Sequence, residues 1–306
     1  MVNKANFTQL TELAMQVSGR SHMRPVIEKE LLHYDILYCL DIHGLLDKLT
    51  FQGGTSLRLC YGAPRFSEDL DFSGGINFNS KQLYAMKACL EKYIGARYGF
   101  EVSVKEPDEL KNEPEYRGLN VDKWQVSIIT APKNKDLPRQ RIKIEVANIP
   151  SYSREPKALI ANYDFLPDGY TDTLVLTETL DEVMADKLVS LVNTRHYVRY
   201  RDIWDLRWLK QQGATLRIDW VNNKIIDYRI DDYPIKLSEM LVRLPSIIKS
   251  DAFRNEMTRF ISQEVQERTL HKDKFYSFLT TEIVNMMQQV QSLLNGGTSP
   301  ENEFNI

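Results

Sequence analysis

Cysteine is scarce in this 306-residue chain: Cys39, Cys60 and Cys89 are widely spaced and form no CxxC pair. Neither a disulfide framework nor a zinc site is indicated, and the thiols are expected in the core. The five histidines, His22, His33, His43, His196 and His271, show no HxxxH or other ligand spacing, so histidine-based catalysis has no support. Charge of one sign is also lacking. A net charge of −3 argues against a uniformly basic nucleic-acid surface, though it allows a local patch. No stretch approaches 18 uninterrupted apolar residues, and Met1 to Leu10 lacks a basic segment followed by an apolar run. A membrane span and a signal peptide are therefore not expected, and a soluble, cytoplasmic protein is.

What the chain does have is concentrated between residues 53 and 71. Gly53-Gly54-Thr55-Ser56-Leu57-Arg58 is followed by Arg65-Phe66-Ser67-Glu68-Asp69-Leu70-Asp71-Phe72. A glycine pair opening a short helix brings backbone N–H groups against a phosphate. In the second segment Leu70 and Phe72 take one face of a strand while Asp69 and Asp71 take the other. Two carboxylates so close repel one another, and a shared divalent cation relieves the repulsion. Taken singly, each half has a plain reading, a tight turn or the polar side of a half-exposed strand. Their order and closeness together predict metal-dependent nucleotidyl transfer.

A third acid comes from Arg141-Ile142-Lys143-Ile144-Glu145-Val146-Ala147, whose alternation predicts a strand with one face in the core. Glu145 is on its polar face and would meet Asp69 and Asp71 if the two strands pair. A solvated strand edge is the alternative.

With 42% hydrophobic residues, the chain can bury a substantial core and is expected to divide in two. Residues 6–47 read as two or three helices, 49–52 as a strand and 81–98 as a helix, with strands at 68–72, 100–104, 123–130 and 141–147. The segments 105–120 and 131–140 read as loops. Strand signals fade after Ile149-Pro150, and from Thr177 the pattern is helical nearly to Asn295. The predicted fold is α/β of the α+β type: a small mixed sheet with flanking helices over residues 1–160, a helical domain over 161–295 closing the nucleotide cleft, and a flexible tail at 296–306. The boundary falls within about residues 150–175.

The helical half has a lysine in an apolar stripe. Leu180, Val183, Met184, Leu188 and Leu191 recur at spacings of three and four, and Lys187 lies among them. Either it snorkels to solvent or it meets an anion. Asp202 and Asp205 share a face of the next helix with Leu206 and Leu209, and salt bridges among Lys187, Arg201, Asp202 and Asp205 would account for all of these charges structurally. Two basic segments are candidate nucleic-acid contacts: Lys133, Lys135, Arg139 and Arg141, and Arg195, His196, Arg199 and Arg201.

These motifs resemble the AbiEii/AbiGii group of nucleotidyltransferase toxins, MenT-like toxins included, within the DNA polymerase β-like superfamily. The resemblance continues in Asp186-Lys187-Leu188 and in Arg201-Asp202-Ile203-Trp204-Asp205-Leu206, so that motifs run from about residue 51 to 209. Where the group often has Gly-Ser, this chain has Gly53-Gly54, which removes a side-chain donor and keeps the backbone ones. The resemblance implies that Lys187 and Asp202 belong to the site with the acids. In the resulting scheme Asp69, Asp71 and Glu145 hold magnesium, with manganese as the alternative. Gly53, Gly54 and Thr55 hold the triphosphate with Ser67, Arg58 steadies phosphates or acids, and Lys187 contacts triphosphate. Asp202 is a base or orients Lys187. The resemblance further implies a toxin of a bacterial toxin–antitoxin or abortive-infection system, an NTP substrate, an RNA acceptor with tRNA foremost, and an antitoxin encoded by a neighbouring gene. A small-molecule nucleotidyltransferase of the antibiotic-modifying kind and a non-catalytic interaction protein on the same scaffold are the alternatives.

Overall fold

The alternating segments pair into one sheet. A computed structural model of the chain describes residues 5–17, 19–111, 121–131, 139–194 and 197–297. It divides into two compact units, Met1–Glu178 and Thr179–Ile306.

In the first unit α1 (Phe7–Met15) and α2 (Arg24–Ile42) precede β1 (Thr50–Gln52), α3 (Gly53–Tyr61) and β2 (Leu70–Ser73). A 3₁₀ turn and α4 (Met86–Tyr98) lead to β3 (Val102–Lys105), α5 (Pro107–Leu110), β4 (Val121–Ile128) and β5 (Gln140–Ala147). The unit closes with β6 (Glu155–Ala158) and β7 (Leu174–Thr177). The seven strands are ordered β3-β4-β5-β2-β1-β7-β6, with β2 parallel to β5, β1 parallel to β7 and the other pairs antiparallel.

Alternation sets the two faces. Phe51, Leu70, Phe72, Trp124, Val126, Ile142, Ile144 and Val146 are buried, and Phe51 stacks on Phe72 across β1 and β2. The residues between them, Asp71, Lys123, Lys143 and Glu145, form the polar face.

The hairpin of β6 and β7 corrects the expectation that strands end near residue 150. Each strand is four residues long, too short for a period-two signal to stand out, and β6 contains Pro156. Proline lacks an N–H to donate, and β6 lies at the edge of the sheet, where that donor is dispensable. With both strands paired into the sheet, the first unit runs to Glu178, later than residue 160.

The second unit is helical among its described residues: α6 (Leu180–Val192), α7 (Tyr200–Gln211), α8 (Ile218–Asp227), α9 (Tyr233–Ile248), α10 (Asp251–Thr258), α11 (Gln263–Arg268) and α12 (Asp273–Leu294). Its core is built from Val183, Met184, Leu188 and Leu191 of α6, Leu237, Met240 and Leu244 of α9, and Leu279, Ile283 and Met287 of α12. These follow the three-and-four spacing of amphipathic helices. Lys224 of α8 is fully buried and bridges Glu182 (2.9 Å) and Asp186 (3.0 Å).

Candidate active site

Sheet register assembles the acids. Asp71 of β2 is paired with Glu145 of β5 on one side and with Gln52 of β1 on the other, and Glu145 is paired with Lys123 of β4. Adjacent strands lie about 4.8 Å apart, so Lys123, Glu145, Asp71 and Gln52 form one lateral row. Asp69 immediately precedes β2 and accepts the Lys143 backbone N–H on Oδ1 at 2.9 Å. Burial, with Glu68 and Glu145 nearby, raises its pKa above the usual carboxylate range despite that bond and Lys29. The strand pairing left open by the sequence is present, and it brings Glu145 beside Asp71.

The glycine turn is fitted to the same acid. Gly53 has φ +78°, a conformation side chains resist, and a Cβ there would lie 2.7 Å from Asp71 Oδ2. A Cβ on Gly54 would collide with the Arg65 guanidinium and press on Ser67 Oγ. The turn therefore lies directly against Asp71, Arg65 and Ser67, and it opens α3, whose first N–H groups have no acceptor within the helix. The Thr55 hydroxyl donates to the Asp69 carbonyl, tying the start of α3 to the aspartate segment. With its hydroxyl so engaged, Thr55 has its amide to offer an outside anion, as Gly53 and Gly54 have theirs.

Arg58 is differently employed from the role expected of it. Its Nε and Nη2 donate to Glu30 at 2.7 and 3.1 Å, its Nη1 donates to the Ala63 carbonyl, and its guanidinium covers the Phe66 ring. A buried bidentate pair of this kind binds α3 to α2. The Arg58 guanidinium is thereby taken up within the fold. The motif arginine that abuts the glycine turn is Arg65.

Two further basic residues near the acids, one on the polar face of the sheet and one on α2, could not be assigned from sequence. Lys123 Nζ lies 2.7 Å from Glu145 Oε1, and Lys29 Nζ lies 3.0 Å from Glu68 Oε1. The alternation of residues 121–128 shows which face Lys123 takes; its partner depends on register, which one strand alone does not reveal.

In the second unit, Lys187 is buried and lies 2.9 Å from Asp202 Oδ1 and 2.8 Å from Asp205 Oδ2. Ser190 donates to Asp202 Oδ2 at 2.8 Å. Burial alone would raise the Asp202 pKa, but the charges of Lys187 and Arg199 outweigh it and hold the carboxyl below its usual range. Lys187 thus meets anions and does not snorkel. Arg201, expected in the same cluster, is directed to Glu256 (3.6 Å) and covers the Phe260 ring. Arg195, His196, Lys133 and Lys135 lie outside the described residues.

The sequence profile described as "Nucleotidyl transferase AbiEii toxin, Type IV TA system" matches residues 35–280, most of the chain. The chain belongs to the AbiEii nucleotidyltransferase toxin family. Among solved structures, MenT4, a nucleotidyltransferase toxin from Mycobacterium tuberculosis H37Rv, aligns with a TM-score of 0.54 at 19% identity, covering 95% of this chain and 99% of that one. JHP933 from Helicobacter pylori aligns at 0.47 with 20% identity, over 89% of this chain and 94% of its own. The likeness to MenT4 is one of fold. No curated protein matches the sequence. For an AbiEii toxin the expected partners are an NTP and an antitoxin, and no helix among the described residues is long and apolar enough to cross a membrane.

Proposed function

We propose that this AbiEii toxin transfers a nucleoside monophosphate from an NTP to an RNA acceptor, tRNA foremost, using a divalent metal held by Asp69, Asp71 and Glu145. The observation that carries the reading is the pairing of Asp71 with Glu145 directly beneath the Gly53-Gly54 turn. Carboxylate oxygens in that arrangement suit magnesium or manganese. When bound, the metal supplies charge neutralisation on the triphosphate and acidifies the acceptor hydroxyl.

The chain's own residues do the remainder. The amides of Gly53, Gly54 and Thr55 point N–H dipoles at the β- and γ-phosphates, with Ser67 beside the turn. The acceptor oxygen forms a bond to the α-phosphorus as the bond to the bridging oxygen breaks, and pyrophosphate leaves. Glu145 takes the acceptor proton on a carboxylate oxygen. We assign Lys187 to contact with triphosphate and Asp202 to orienting it. An ion-paired carboxylate with a lowered pKa is a poor base, which favours the orienting role.

Incubation with each α-labelled NTP, magnesium and either total RNA or small alcohols and amines tests the reading. Label is expected in RNA. Label only in small acceptors would favour the antibiotic-modifying type of chemistry, and transfer from a γ-labelled nucleotide would make the enzyme a kinase.

A further inference from the structure

The polar face of the sheet holds a cation that the proposed chemistry does not use. Lys123 and Glu145 occupy paired positions on antiparallel strands, and their side chains meet at 2.7 Å. Both are partly open to solvent, at 13% and 25% of side-chain exposure, so the pair contributes little to stability. Its location is more informative. Glu145 stands between an ammonium from β4 and the Asp71 carboxylate of β2, in one row of the sheet. Of the three acids assigned to the metal, Asp69 is steadied by a backbone amide, whereas Glu145 has a side-chain cation of the chain's own.

We propose that Lys123 is a positioning residue for the third acid: it holds and neutralises Glu145 and so competes with a divalent cation for that carboxylate. This rests on the metal reading of Asp69, Asp71 and Glu145. Without nucleotide, Glu145 stays on Lys123 and the site binds free divalent metal weakly through the two aspartates. Once a triphosphate is bound, Lys123 has a second anion to turn to, and Glu145 is released to the metal. Metal recruitment is thereby tied to substrate.

Binding of Mn2+ alone, followed by the electron paramagnetic resonance of the free ion at fixed pH and ionic strength, tests this without turnover. Lys123→Met is expected to bind Mn2+ about tenfold tighter than the parent, the scale of one neighbouring charge. Lys123→Arg is expected to bind like the parent. Introducing Lys123→Met into a Glu145→Gln background should give no gain, because no carboxylate remains to be freed. Should Lys123→Met melt well below the parent, Lys123→Gln replaces it.

Equal Mn2+ affinity in Lys123→Met and the parent would overturn the proposal, as would weaker binding at an unchanged melting temperature. A tenfold gain that survives in the Glu145→Gln background would overturn it too, since the effect would then be general charge. Asp71→Asn separates the two levels. If it loses Mn2+ while Lys123→Met is unaltered, only the role of Lys123 fails; if it binds Mn2+ like the parent, the metal reading itself fails.

Discussion

Each unit has a pair of acids withdrawn from solvent, half-buried in the first and buried in the second, and balances them differently. In the first, Asp69 and Asp71 lie against a glycine turn, and Asp69 is held above its usual pKa by burial with acidic neighbours. In the second, Asp202 and Asp205 clasp Lys187 between them, and Asp202 is held below its usual range. Burial opposes ionisation at both places, and what differs is how far neighbouring cations offset it. At Asp69 burial outweighs the nearby Lys29, whereas at Asp202 Lys187 and Arg199 outweigh burial. An acid cluster that folding leaves under-neutralised points to a ligand, whereas a buried lysine between two aspartates is as readily explained by folding as by binding.

The largest effect should come from the first cluster. Asp71→Ala is expected to lower nucleotidyl transfer by about a thousandfold or more, measured as label moved from an α-labelled nucleotide. Removing a carboxylate from beside Glu145 relieves repulsion and should not harm the metal-free fold. Asp69→Asn is expected to raise the melting temperature in chelator by a few degrees, a gain of about 1 kcal/mol. Undiminished transfer by Asp71→Ala would break the comparison at its root.

Lys187→Met sharpens the other side. It keeps the stem and deletes the charge, leaving Asp202 and Asp205 buried without their cation, so a loss of about 3 kcal/mol is expected on thermal melting. If Lys187 also contacts triphosphate, nucleotide affinity falls in protein that is still folded below the melting transition. A large thermal loss with normal nucleotide affinity would reduce Lys187 to a structural residue.

How much of this could be read from the chain follows the range of each signal. The glycine pair and the amphipathic α6 are local patterns that stand where their spacing predicts, and of the Asp-x-Asp pair Asp71 lies on β2 while Asp69 immediately precedes it. Glu145 was legible as a polar-face residue, but its partner was not, because parallel pairing of β2 with β5 joins segments more than sixty residues apart. The same limit hid Lys123 from view, and it hid Glu30, which takes up Arg58 from a helix that reads as plain core. The hairpin of β6 and β7 was lost for another reason: four-residue strands, one of them with a proline, carry almost no periodicity.

A smaller effect distinguishes the clusters by the sign of their pH dependence. The raised pKa of Asp69 means that the folded protein binds its proton more tightly than the unfolded chain does. Its contribution to stability therefore falls as pH rises from about 4, the unfolded value, through its own pKa. Asp202 is lowered, so its contribution is present above the unfolded value and is lost as pH falls through its own pKa. In metal-free melts over a pH series, the advantage of Asp69→Asn over the parent should grow with rising pH, while the deficit of Asp202→Asn also grows. Differences of the same sign would mean that the two clusters are balanced alike.

The smallest effect concerns cations at the surface of the second unit, where acceptor RNA is proposed to bind. Arg199 is 43% exposed in its side chain, lies 3.9 Å from Asp202 and covers the ring of the exposed Tyr197. Arg201 faces Glu256 and Phe260 and is less exposed, at 36%. A polyanion should draw more on Arg199 than on Arg201. Arg199→Gln is expected to raise the KM for RNA about threefold to tenfold and to reduce the logarithmic salt slope of RNA labelling by about one, with Arg201→Gln doing less. Nucleotide binding, measured alongside, should be left nearly as it was, which separates a lost phosphate contact from a disturbed Lys187 cluster. If both variants label RNA like the parent at every salt concentration, these arginines form a solvated surface, and the small-molecule acceptor gains over RNA.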